Sequence, residues 1–261
     1  MKASLLCLVL VLGAVPDAFG QASEKVVDIP TRPGVNQRML VVAAPTPKAA
    51  VVLLAGGHGG LQLSANGSIK WGEGNFLVRT RQMFVEQGLL VAVLDAPSDR
   101  QSPPFLAGFR QTSEHAADLK AVIAWLKESA KVPVWLVGTS RGTQSAAFVA
   151  TQLSGADAPD GLVLTSTILA DSGSRPVPAM ALEKVRIPVL VVHHEHDGCA
   201  LCSFADMPAL MRKLDQVPKR QLLAFKGGTT RGDPCEAFAY HGFNGLERDV
   251  VQQIAAWITA Q

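Results

Sequence analysis

One serine in this chain stands where its neighbours could make a poor nucleophile reactive. Gly138-Thr139-Ser140-Arg141-Gly142 follows the apolar run Pro133 to Val137 and precedes a stretch with helical spacing. In a strand, turn, helix setting, a G-x-S-x-G pattern lifts the serine hydroxyl off the backbone, and the flanking glycines relieve the crowding of so sharp a turn. The same letters arise by chance in ordinary turns, so the reading rests on their place after a buried strand near mid-chain. A serine hydroxyl attacks a carbonyl only when a base takes its proton, and an acid must hold that base in its productive tautomer. The chain offers six histidines for the first role.

Two other stretches could do chemistry. His193-His194-Glu195-His196-Asp197-Gly198, with Cys199 and Cys202 close behind, gathers imidazole, carboxylate and thiolate, all of which ligate zinc. Alternating residues at a strand end point to opposite faces, so the three histidines do not converge, and no metal or other cofactor is expected. Gly56-Gly57-His58-Gly59-Gly60 follows the apolar run Ala50 to Leu54. Its glycines let backbone N–H groups come close to a bound molecule.

The elements that must position these residues alternate between short β-rich runs and longer helical ones. That alternation predicts an α/β fold, with a mostly parallel central sheet of about eight strands flanked by helices on both faces. Strands are expected at Val26 to Ile29, Gln37 to Ala43, Ala50 to Leu54, Leu89 to Leu94, Pro133 to Val137, Gly161 to Thr165, Val189 to Val192 and Leu222 to Phe225. Helical spacing of apolar residues runs from Phe76 to Gln87, behind an N-cap at Ser113, from Gln144 to Leu153, Met207 to Leu214 and Leu246 to Ile258. Asp95 is expected to order the loop after its strand. Asp171 to Pro188 is too short for an inserted cap domain, and no internal repeat or low-complexity linker is present.

The elbow at Ser140, the glycine loop at Gly56 to Gly60 and the strand order resemble the α/β-hydrolase family, in particular its small lid-poor branch of dienelactone-hydrolase-like proteins and secreted bacterial esterases. The resemblance spans nearly the whole mature chain. It implies that His241, in Tyr240-His241-Gly242-Phe243 between the last strand and the closing helix, is the base. It implies that Asp197, after the strand Val189 to Val192, is the acid, giving the chain order Ser, Asp, His. Asp171 is the alternative acid, with Glu195 and Asp233 behind it. The resemblance also implies an oxyanion hole made by the backbone N–H of Arg141 together with that of Gly57 or His58, Gly59 being a lesser choice.

Length and composition bound the rest. The chain has 261 residues, 48% apolar and 18% charged, with a formal net charge of +2, which suits one domain and offers no basic stripe for nucleic acid. Lys2, the apolar run Leu5 to Val15 and the small residues around Gly20 read as a secretory signal peptide over 1–20, leaving a mature domain at 21–261. That run of about 11 residues is shorter than the ~20 needed to span a bilayer, so no stable membrane span is expected. An exported protein oxidises its thiols. Of Cys199, Cys202 and Cys235, contact between Asp197 and His241 would draw Cys199 to Cys235, and that bridge is expected ahead of Cys202 to Cys235 or Cys199 to Cys202.

The expected activity is hydrolysis of short to medium carboxylic esters, with a small-molecule ester as partner. Amide or thioester cleavage on the same triad, or a non-catalytic binding role, are the alternatives. Trp71 and Phe105, with Leu106, are expected to line an open cleft.

Overall fold

The computed structural model describes residues 24–261. The stretch read as a signal peptide lies outside the described residues. Eight strands form one sheet in the order β1-β2-β4-β3-β5-β6-β7-β8. They are β1 (Glu24–Arg32), β2 (Val35–Val42), β3 (Ala49–Leu54), β4 (Leu89–Leu94), β5 (Val134–Thr139), β6 (Gly161–Thr165), β7 (Val189–His194) and β8 (Arg220–Phe225). The hairpin β1–β2 and the β2–β4 pair are antiparallel, and every other pairing is parallel.

β3, β4, β5, β6 and β7 are buried at every position, which is why they read as unbroken apolar runs instead of alternating ones. Helices cover both faces. On one side α3 (Ser113–Ala130), α4 (Arg141–Gln152) and α5 (Met207–Lys213) pack Leu119, Val122, Ala146, Val149 and Leu210 onto the sheet. On the other, α1 (Phe76–Arg79), α2 (Arg81–Glu86) and α6 (Glu247–Thr259) contribute Phe76, Phe84, Val250, Ile254 and Trp257. Between strands and helices no inserted cap domain occurs among the described residues.

Register does the positioning. Leu54, the last residue of β3, lies beside Gly138 near the end of β5, so the glycine loop and the serine turn leave the sheet side by side. Thr139 of β5 pairs with Thr165 of β6, and Thr165 pairs with Val192 of β7, while His194 of β7 pairs with Phe225 of β8. The loops after β3, β5, β7 and β8 therefore open along one edge of the sheet, at the carboxyl ends of the strands, where open α/β sheets bind their ligands.

Two local expectations change. The single helix from Phe76 to Gln87 is broken at Thr80, whose backbone (φ −96°, ψ 3°) leaves the helical region. The cap of α3 is Thr112, one residue ahead of Ser113, and its side chain accepts the N–H of His115 at 3.2 Å.

Candidate active site

Ser140 sits at φ 51°, ψ −126°, a conformation costing a non-glycine residue about 1–3 kcal/mol. The surrounding glycines permit it. A Cβ on Gly138 would lie 2.5 Å from the Gly142 carbonyl oxygen, and one on Gly142 would lie 2.0 Å from the Leu54 carbonyl oxygen. The turn is pinned where the Ser140 N–H donates to Thr165 O (3.0 Å) and the Thr143 N–H donates to Ser140 O (2.9 Å). Helix α4 starts at the next residue, so the Arg141 N–H is one of the first-turn donors that the helix cannot satisfy internally.

His241 and Asp197 are brought together. His241 Nδ1 is 2.9 Å from Asp197 Oδ2, with the carboxylate side chain fully buried and the imidazole 5% exposed. A carboxylate facing Nδ1 places the proton there and leaves Nε2 as the acceptor. Nε2 is buried and has no hydrogen-bond partner among the described residues. Ser140 and His241 line the same cleft of about 710 Å³, and no hydrogen bond yet joins them, as is common before substrate binds.

Several contacts hold this pair. Asp197 Oδ1 accepts the Cys199 N–H at 2.9 Å, and Oδ2 lies 3.5 Å from His193 Nε2. His193 Nε2 is also 2.7 Å from the Cys202 carbonyl, which can only accept, so this nitrogen carries the proton. Burial lowers the pKa of His193, against the pull of Asp197, and keeps the ring neutral. Ser166 Oγ donates to the His241 carbonyl at 2.6 Å. Cys199 and Cys235 are bonded, S–S 2.00 Å, which fastens the loop of Asp197 to the loop of His241 across 36 residues of chain. Cys202 is a buried free thiol whose pKa burial pushes up.

Arg79 was not visible as a site residue in the sequence. Its guanidinium donates to Gly74 O (2.6 Å), Ala237 O (3.1 Å) and Gly242 O (2.6 Å) and pairs with Glu247 at 2.8 Å, so one side chain clamps the segment carrying His241. Its partners are mostly carbonyls, which carry no residue-type signal.

The remaining acids are occupied elsewhere. Asp171 pairs with Arg141 Nη1 at 2.7 Å and accepts from Ser174 Oγ and the Gly173 N–H. Burial alone would raise its pKa, but these partners hold it at about 2. Glu195 pairs with Lys226, and Asp233 accepts the Cys235 N–H. Asp95 orders the loop after the glycines by accepting the N–H groups of Leu61, Gln62 and Leu63.

The histidine cluster does not converge. His194 Nε2 reaches Gly227 O at 2.9 Å, and its ring stacks on Tyr240, away from His193. Cys199, Cys202 and His241 do bring ligand-type atoms within 4.8 Å of one another. Cys199 is committed to its disulfide and His241 Nδ1 to Asp197, so this donor set does not suit a metal.

Aromatic rings pack against the glycine loop, while Gly57 itself is exposed. A Cβ on Gly57 (φ 56°) would lie 2.6 Å from the Trp71 ring, and one on Gly60 would lie 2.2 Å from the Phe105 ring. The His58 ring lies between Trp71 (centroids 3.7 Å) and Phe105 (4.3 Å). Trp71 lines the serine's cleft, but Phe105 lines neither that cleft nor its neighbour. The expectation that Phe105 faces substrate is thereby corrected: its stacking on His58 turns it into the wall behind the loop. Gly57 and Arg141 lie on both clefts, while His58 opens only onto the second, of about 730 Å³, with Leu106 and Gln144. Trp71 and Phe238 are the exposed large hydrophobics of the described residues, and both rim the serine's cleft.

No protein-family model matches this chain. No curated protein matches it either. Solved structures do. The dienelactone hydrolase of Anabaena variabilis superposes with a TM-score of 0.64 at 14% identity, covering 92% of this chain and 99% of that one. An esterase of Pyrococcus furiosus gives 0.62 at 13% identity, covering 96% and 95%. A serine hydrolase without a lid from Xanthomonas campestris gives 0.56 at 16% identity, covering 92% and 96%. Strand order, elbow and overall superposition agree: the chain has the α/β-hydrolase fold, in the form that carries no large cap domain.

Proposed function

We propose that the protein is an exported serine hydrolase that cleaves small carboxylic esters through an acyl-enzyme. The observation that carries this reading is His241, held by Asp197 at 2.9 Å with Nε2 free, in the cleft that also holds the strained Ser140. Ser140 Oγ attacks the ester carbonyl carbon as its proton passes to His241 Nε2. The resulting oxyanion takes hydrogen bonds from the Arg141 N–H and from the glycine loop. Gly57 is the preferred loop donor because, unlike His58, it opens onto the serine's cleft. His241 then returns the proton to the departing alkoxide oxygen, which leaves as alcohol. A water molecule, deprotonated by the same nitrogen, attacks the acyl-enzyme and releases the acid with Ser140 restored. No cofactor enters this cycle.

The apolar rim of Trp71 and Phe238 suits an ester whose acyl or alcohol part is a short hydrocarbon group. The test is turnover of p-nitrophenyl acetate and butyrate by residues 21–261, with fluorophosphonate labelling, beside Ser140→Ala. Turnover and labelling that vanish together in the variant support the reading; a wild type that neither turns over nor labels removes it. Export is tested by the N-terminus of protein recovered outside the cytoplasm, expected at Gln21.

A further inference from the structure

Arg110 lies on the loop between β4 and α3 and is 5% exposed. No carboxylate pairs with it among the described residues, so its charge is met by dipoles. Nη2 donates to Ala55 O at 3.0 Å and to Gly57 O at 3.2 Å, and Nη1 donates to Ser145 Oγ at 2.9 Å. The glycine loop lies directly on the guanidinium, since a Cβ on Gly59 would come within 2.4 Å of Nη2. Burying a cation without a carboxylate is costly, and a core of ordinary apolar side chains would avoid that cost.

The position of the three acceptors explains its presence. Ala55 and Gly57 belong to the loop that supplies one oxyanion donor, and Ser145 belongs to α4, whose first N–H, at Arg141, is the other. In a trans peptide the C=O and N–H point in opposite directions, so fixing the carbonyls of Ala55 and Gly57 also fixes the N–H groups of Gly56 and His58. The Gly57 N–H is then strung between two clamped peptide units. From the far side Trp71 and Phe105 close on the same loop.

We propose that Arg110 is the positioning residue of the oxyanion hole, one buried guanidinium tying the glycine loop to the helix that follows the nucleophile. This rests on the serine-hydrolase reading above. A planar fork with several donors is needed to reach two carbonyls and a hydroxyl at once, which a lysine ammonium on a flexible stem cannot reproduce.

The experiment compares wild type with Arg110→Lys, Arg110→Met and Ser145→Ala, using p-nitrophenyl butyrate kinetics and binding of an alkyl boronic acid, whose tetrahedral adduct with Ser140 mimics the oxyanion. Removing an oxyanion donor typically lowers kcat about 10²–10³-fold, and the Arg110→Lys and Arg110→Met variants should approach that loss with KM within about threefold of wild type. Boronate affinity should fall with kcat. Ser145→Ala removes one arm and should cost roughly tenfold, about the worth of one hydrogen bond to a charged group. It also tests the idea independently if the arginine variants do not fold. Folded variants that keep wild-type kcat, or that lose kcat with boronate affinity unchanged, overturn the assignment. A wild type without turnover or labelling would instead strike at the serine-hydrolase reading itself.

Discussion

His115 is in the first turn of α3, 2% exposed, edge-on to Phe109, and neither ring nitrogen has a partner among the described residues. Burial, then the positive charges of Arg110 and Arg32, push its pKa down to about 3. In the unfolded chain the same imidazole titrates near 6.5. The sign follows directly: as pH falls through about 6.5 the unfolded chain takes up a proton, and the folded chain refuses it until about pH 3. Between those limits the unfolded state binds more protons, so stability falls with falling pH. At pH ~4.5 the difference amounts to about 2–3 kcal/mol, and at pH ~7 it has nearly vanished. Urea unfolding at both pH values should therefore separate wild type from His115→Leu, which puts an apolar side chain in the imidazole's place and removes two unpaired nitrogens. The variant should match or exceed wild type at neutral pH. Its advantage should grow by about 2–3 kcal/mol at the acid value. Other acid-labile groups, including Asp171 with its pKa near 2, are common to both proteins and cancel in the difference. Two unfolding series that shift in parallel between the two pH values would refute the argument, because the ring would then be gaining its proton in the folded state.

Further outcomes concern the site. Asp197→Asn keeps the side chain's shape but favours the wrong tautomer of His241, so kcat for p-nitrophenyl butyrate should drop about 10⁴-fold with little change in KM; a loss under tenfold would mean that another group orients the ring. The double variant Cys199→Ser/Cys235→Ser opens a loop of 36 residues, worth about 4 kcal/mol of unfolded-chain entropy, and should melt roughly 10 °C lower by calorimetry. An unchanged melting temperature would show that the loops of Asp197 and His241 hold each other without the bridge. Phe238→Ala removes half of the exposed apolar rim, and the kcat/KM preference for butyrate over acetate esters should shrink about fivefold, the effect of about 1 kcal/mol of apolar contact. A preference that stays the same would move acyl recognition to Trp71 or to the second cleft.

Much of this arrangement is legible in the residues because its information is local or ordinal. The serine turn announces itself through two glycines that each face a carbonyl oxygen at contact distance, so no other residue type fits there. The family resemblance puts Asp197 after β7 and His241 after β8, where the structure pairs them, and of the three bridges open to Cys199, Cys202 and Cys235 the favoured one, Cys199 to Cys235, is formed. Helix limits were less legible. The apolar spacing of Phe76 to Gln87 continues unbroken through Thr80, and only the backbone shows that two short helices share one buried face.

Phe105 and the arginines mark where residue-type reasoning stops. A loop aromatic can face a ligand or a neighbouring ring, and the letters around Phe105 do not distinguish them; His58 decides the matter from more than forty residues away in sequence, by stacking. Arg79 and Arg110 are less visible still, because most of their acceptors are backbone carbonyls, and every residue has a carbonyl. Arg79 does have a carboxylate partner, Glu247, but it stands 168 residues away in sequence, and Arg110 has none among the described residues. A carbonyl partner leaves only the glycines that make room for the guanidinium, as Gly59 does above Arg110. In this chain the groups proposed to do the chemistry are written as residue types, whereas those that aim the backbone are written mainly as missing side chains. The glycine-rich loop at the end of β3 is thus informative twice: at Gly57 it leaves backbone open to the cleft, and at Gly59 it makes room for the buried guanidinium of Arg110.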